Sequence, residues 1–263
     1  MKVGIIGCGN IGTELALFMD KGTNFNIKYL FDINKTNICN LIKKLKKNRP
    51  EFTGLNELIK KSDLIIESAS KEAVEKILKN RNLDKKNKHL LIMSTGGLIN
   101  SLNLLKRIKN CTVHLPSGAI SGLDAIKSVS GKIKSLKLTT TKPVKGLEGA
   151  PYIIKKNIEL KKLKKKKMLF EGSLKKAVEG FPKNINVAAT LFIASKFDKI
   201  RVKVVADPNT SFNTHKIEAA GDFGKIMTIT SNLPSKNPKT SYIAVLSAIN
   251  VIKSLKNNIK AGN

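Results

Sequence analysis

The chain has 263 residues, enough for one large domain or two modest ones with separate cores. Hydrophobic residues make up 41%, which excludes a disordered chain, and no apolar run approaches the roughly 18–20 residues of a membrane span. The net charge of +30 is almost wholly lysine, with arginine only at 49, 81, 107 and 201, aromatics at 5% and no tryptophan. That composition is poorly suited to reading or stacking nucleic-acid bases.

The N-terminus enters a strand at once, at 2–7, too short and Gly-rich for a signal peptide; the expected location is cytoplasmic. Further strands are expected at 27–31, 63–67, 89–93 and 111–115, with a weak one near 51–53. Helical runs fall between them at about 11–21, 35–48, 71–80 and 99–108. Continuous apolar strands alternating with amphipathic helices predict a doubly wound parallel sheet, a Rossmann domain over 1–122.

After Gly122 the pattern changes. Segments 132–141, 198–206 and 224–231 alternate as half-exposed strands do, and helices are expected at 173–180 and 185–195. This reads as a second domain over 123–240, of α+β type with a mixed sheet. The dense lysine run at 155–167 is expected to decorate a surface helix. Segment 207–224 reads as a long polar link between two strands. Pro234 and Pro238 mark a loop before an amphipathic helix at 241–256, a candidate to fold back onto the first domain.

Val3-Gly4-Ile5-Ile6-Gly7-Cys8-Gly9-Asn10-Ile11-Gly12 contains G-x-G-x-x-G directly after a strand and at the opening of a helix. Gly7 would make the tight turn, Gly9 would admit a pyrophosphate, and Gly12 would let helix and strand approach closely. Asn10 and Ile11 begin the helix, whose N-terminal N–H groups suit phosphate. Asp32 follows Gly12 by 20 residues at the end of the second strand, where a carboxylate binds ribose hydroxyls and repels a 2′-phosphate. NAD or NADP is therefore the expected cofactor, with NAD favoured. Ser68 and Ala69, after the 63–67 strand, should line the same crevice, as should the Ser94–Gly97 turn.

Cys8, Cys39 and Cys111 are widely spaced and odd in number, which argues against a disulfide framework or a zinc site; no metal is expected. Of the three histidines, His89 begins a strand and His114 lies near the end of another. His215, in the polar link, is the candidate acid–base group.

The strings Leu115-Pro116-Ser117-Gly118-Ala119-Ile120, Leu138-Thr139-Thr140-Thr141-Lys142-Pro143, Phe170-Glu171-Gly172, Asn184-Ile185-Asn186-Val187-Ala188-Ala189, Asp207-Pro208 and Asn213-Thr214-His215 occur in this order. Together they resemble the archaeal and bacterial L-aspartate dehydrogenase family. The resemblance implies a homodimer that oxidises L-aspartate to iminoaspartate with NAD or NADP and feeds de novo NAD synthesis. It implies a catalytic role for His215 and cofactor contacts from Ala119 and Asn186. Donors for the two substrate carboxylates are expected among Ser117, Gly118, Thr139, Thr140, Thr141 and Lys142, unranked. Two alternatives are a Rossmann dehydrogenase acting on homoserine or a semialdehyde, and an NAD-binding DNA-associated regulator. The second lacks any recognisable DNA-reading module.

Overall fold

A computed structural model describes residues 1–22, 25–182, 185–233 and 241–259. Pro234, Pro238 and Asn184, invoked above, lie outside the described residues. The chain divides into two compact units, one of Met1–Pro116 with Ala248–Lys256, the other built on Ser117–Ser247.

The first unit alternates strands and helices: β1 (Lys2–Ile6), α1 (Asn10–Asp20), β2 (Asn26–Phe31), α2 (Lys35–Ile42), β3 (Glu51–Phe52), α3 (Leu55–Lys61), β4 (Leu64–Glu67), α4 (Lys71–Leu78), β5 (His89–Ile92), α5 (Leu102–Arg107) and β6 (Thr112–His114). Among the described residues, six strands pair in parallel in the order β3-β2-β1-β4-β5-β6, so the sheet is doubly wound, as expected from the sequence. β1 and β4 are buried on both faces, which is why they read as unbroken apolar runs.

Two details differ from expectation. Helix α2 stops at Ile42, not 48. The buried carboxylate of Asp20 instead gathers the backbone N–H groups of Lys46, Lys47 and Asn48 at 2.6–3.2 Å and holds 46–48 as a loop. Burial would raise the Asp20 pKa, but these hydrogen bonds outweigh it and bring it down to about 2. The second difference is α3, which is absent from the expected elements. It is short, and buries only Leu58 and Ile59.

The second unit contains α6 (Leu123–Ser128), β7 (Ile133–Lys142), α7 (Pro151–Lys155), β8 (Lys167–Ser173), α8 (Leu174–Gly180), α9 (Asn186–Ser195), β9 (Arg201–Ala206), β10 (Asn213–Gly221) and β11 (Gly224–Asn232). Five strands form a mixed sheet in the order β11-β10-β7-β9-β8, with β7 and β9 parallel and the other pairs antiparallel. Tyr152, Phe170 and Phe181 pack ring against ring at centroid distances of 5.3–5.6 Å in its core. The C-terminal helix α10 (Tyr242–Ser254) buries Val245, Ala248 and Ile252, one stripe at helical spacing.

Two expectations for this unit are corrected. His215 does not sit in a polar link; Asn213–Gly221 is a nine-residue strand with neighbours on both sides. Its alternation is strict, with Asn213, His215, Ile217 and Ala219 buried, but half of the inward residues are polar and disguise it. The lysine run is not a helix either. It runs from the end of α7 through turns and a single 3₁₀ turn at Leu160–Lys162 into β8. β8 itself was not anticipated.

Candidate functional site

In the first unit the glycine-rich turn, the ends of β2 and β4 and the start of α4 enclose a cavity of about 560 Å³. Gly7, Gly9, Asp32, Ser68 and Ala69 line it. Gly7 has φ +92°, and a Cβ there would lie 2.6 Å from the backbone of Ser68 and Ala69. A Cβ on Gly12 would lie 2.0 Å from the Gly7 carbonyl oxygen, so helix and loop touch through it. Gly9 is different: a Cβ there meets nothing within 4 Å. A side chain at Gly9 would project into open space, which is where a pyrophosphate would need the backbone bare. Asn10 and Ile11 form the first turn of α1, whose N–H groups have no intrahelical acceptor, and no acidic residue sits there to repel phosphate. These residues fit a dinucleotide.

Asp32 is more engaged than the sequence implied. Its Oδ2 accepts from Cys8 N at 2.7 Å and Asn37 Nδ2 at 3.2 Å, and its Oδ1 accepts from Asn34 N at 2.8 Å. Of roughly four acceptor positions on a carboxylate, about one remains for a ribose hydroxyl. Asp32 therefore also ties the glycine-rich turn to β2. Asp32→Ala is expected to weaken NAD about tenfold or more, and NADP by less, because the removed charge also repels a 2′-phosphate. Calorimetric titration with both nucleotides checks this; equal losses would mean that Asp32 acts only by shaping the turn.

Glu67 was not anticipated. It ends β4 fully buried, its Oε1 accepting from Ala69 N at 2.8 Å and Ser70 N at 3.0 Å, its Oε2 from Ser94 N at 2.9 Å. Burial pushes its pKa up, against the pull of these donors. One carboxylate thus fixes the two turns expected to border the crevice. The visible signal was an acidic residue closing an otherwise apolar strand. Ser68 adds a hydrogen bond from its hydroxyl to the Gly7 carbonyl, 2.8 Å.

Cys8 and Cys111 are buried, and burial followed by a nearby carboxylate raises their thiols to about 12 and about 11. Both stay protonated near neutrality and make poor nucleophiles. His89 Nδ1 and His114 Nε2 lie 3.0 Å apart, so these two histidines pair with each other. Among the described residues no group of three or more His, Cys, Asp or Glu is placed to hold a metal.

The other predicted residues belong to the second unit. Ala119 is buried, and its carbonyl accepts from Asn232 Nδ2 at 2.9 Å, fastening the Ser117–Ser121 turn to β11. Asn186 opens α9 and is exposed. His215 is buried, with Nδ1 3.0 Å from Thr140 Oγ1 on the neighbouring strand. Burial, reinforced by the positive charge of Lys142, lowers its pKa to about 3. Lys142 is itself buried, and desolvation lowers its pKa to about 8. The imidazole is thus neutral at physiological pH and able to accept a proton at Nε2 when Nδ1–H donates to Thr140.

The register places these groups in rows on one sheet face. His215 stands opposite Thr140 and Thr230, and the row one pair further along holds Asn213, Asn232 and, by continuing the register, Lys142. Rows in the other direction are Ile217 with Leu138, then Ala219 with Leu136. Polar side chains gather at one end of this face, with Thr228 beside Ile217 the exception in the rows beyond.

Comparison with known proteins follows both units. A family model described as aspartate dehydrogenase, C-terminal, matches residues 124–255, and one described as homoserine dehydrogenase, NAD binding domain, matches residues 7–115. A protein of Methanosarcina acetivorans named L-aspartate dehydrogenase is 42% identical, covering 100% of this chain and 99% of its own. One of Nitrosopumilus maritimus with the same name is 39% identical, covering 96% and 95%. The crystal structure of aspartate dehydrogenase from Thermotoga maritima superposes with a TM-score of 0.74 at 28% identity, covering 99% of both chains.

Proposed function

From the premise that this chain belongs to the L-aspartate dehydrogenase family, we propose that it catalyses the NAD- or NADP-dependent oxidation of L-aspartate to iminoaspartate, which water converts to oxaloacetate and ammonia. The observation that carries the reading is a neutral, buried His215 on the same sheet face as a buried lysine. The bound nicotinamide supplies the chemistry of accepting a hydride from the substrate's Cα. The protein's part is to bind, orient and deprotonate. The substrate amine must lose a proton before an imine forms, and His215 Nε2 takes it. Thr140 fixes the ring's tautomer through Nδ1. Gly7, Gly9, Asn10, Ile11, Gly12, Asp32, Ser68 and Ala69 hold the dinucleotide, and Ala119 and Asn186 are the further cofactor contacts that the family resemblance implies.

The test is direct: purified protein, NAD or NADP and L-aspartate should give a rise in absorbance at 340 nm and release ammonia. Neither signal with aspartate, alongside good oxidation of homoserine, would favour the runner-up. The raised thiol pKa values of Cys8 and Cys111 disfavour either of them as a nucleophile.

The reading extends to assembly and setting. Met227 and Ile229 are 62% and 60% exposed on the edge strand β11, apolar surface suited to a second copy of the chain. A homodimer should appear by light scattering, and charged residues at both positions should yield monomers; a wild-type monomer at micromolar concentration would contradict it. Iminoaspartate made in the cytoplasm would serve as a precursor of pyridine nucleotides, the role the family resemblance implies. No helix among the described residues is long and apolar enough to cross a membrane. The lysine excess acts as a general positive field that draws in an anionic substrate and cofactor, with no nucleic-acid partner.

A further inference from the structure

Asn213 is 0% exposed, yet among the described residues neither its Oδ1 nor its Nδ2 has a hydrogen-bond partner. Buried carboxamides are almost always paired, and leaving one unpaired lowers stability. Such a group calls for an explanation, and its position supplies one. Asn213 stands at the polar end of the sheet face, beside buried Lys142 on β7 and two residues from His215 on its own strand.

We propose that Lys142 and Asn213 together form the subsite for the side-chain carboxylate of the substrate. The inference rests on the aspartate reading above. A carboxylate answers both features: it accepts a hydrogen bond from Asn213 Nδ2 and neutralises the ammonium of Lys142. A cationic side chain would instead set like charges together on this buried row.

Spacing selects which carboxylate. Same-face residues two apart on a strand are separated by about 6.6 Å. His215 addresses the amine on Cα. The α-carboxylate hangs on that same carbon, whereas the side-chain carboxylate lies one carbon further out, toward the next row. Alanine, with nothing there, leaves the row unfilled.

The pairing also acts on the base. Burial is the main reason that His215 is a weak base, and the charge of Lys142 adds to it. A carboxylate seated against Lys142 cancels that second contribution. The correct substrate therefore strengthens its own proton acceptor, and a monocarboxylate does not.

Asn213→Leu and Lys142→Met separate this from a packing role. With saturating NAD, succinate serves as a calorimetric probe of the subsite independent of turnover. Each variant should bind succinate at least about tenfold more weakly, the loss expected for one charge-assisted contact. The aspartate-to-alanine ratio of kcat/KM should fall by a similar factor. Asn213→Leu, which removes an unpaired polar group at similar volume, should leave Tm unchanged or raised. In wild type the ratio should decline above pH 8 as Lys142 loses its proton; Lys142→Arg, which keeps its charge, should hold it. Unchanged succinate binding with a lower Tm in Asn213→Leu would overturn the proposal, as would equal losses for aspartate and alanine, which would point to the α-carboxylate. A wild-type protein that does not oxidise aspartate would instead overturn the functional reading.

Discussion

His215→Ala should lower kcat by roughly 10²–10⁴-fold, the usual contribution of a general acid–base group, with NAD affinity nearly unchanged because His215 is not among the residues assigned to the dinucleotide. Stopped-flow measurement of the 340 nm signal checks the rate and calorimetry checks the nucleotide. Full activity in the variant would leave the family intact but remove His215 as proton acceptor. The pH profile carries a second expectation. His215 is held neutral down to about pH 3, so kcat/KM should show no limb near the ordinary histidine pKa of about 6.5. For stability the sign runs with pH: the unfolded chain binds a proton at His215 below about 6.5 that the native chain refuses. Native stability from this residue is therefore complete above that value and declines as pH falls from 6.5 toward 3.

Substrate selectivity should be the other large effect. L-Aspartate should exceed L-alanine and L-glutamate by at least about a hundredfold in kcat/KM, since a site built with donors for a second carboxylate leaves them unpaired when that group is missing. Glutamate is one methylene too long to satisfy both carboxylates and Cα together. Homoserine should be inert. The same spectrophotometric assay, run with each amino acid at subsaturating concentration, ranks them. Efficient oxidation of homoserine without aspartate would contradict the assignment.

The first half of the chain was legible because its strands are uniformly apolar and its glycines carry a geometric requirement. β1, β4 and β5 need no alternation to be recognised, and Gly7 and Gly12 stand where any side chain would collide. The second half was harder for a reason tied to function. β10 carries Asn213 and His215 on its buried face, so the residues that do the chemistry also erase the apolar period by which a strand is recognised. His215 could be named from its string and its chemistry, yet its setting was misread as a loop. Lys142 stood among six unranked candidates, and its burial, together with the register of β7 against β10 continued by one pair, singles it out. Asn213 and Glu67 were not assigned roles. A single sequence does not say that a polar residue is buried, nor whether its partners are present.

The first unit also records an order of events. Its final segment, Ala248–Lys256, reaches it after the chain has left at Pro116 and built the other unit. There Lys253 lies over the ring of Phe18 at 5.5 Å and Lys256 over that of Phe25 at 4.9 Å. Synthesis proceeds at about 5–20 residues per second, so a nascent chain spends on the order of ten seconds with this unit unfinished. Closing so long a loop adds only slowly to the entropic cost but places the contact among the last to form. The dinucleotide fold of this protein is thus begun before the other unit on the ribosome and completed after it.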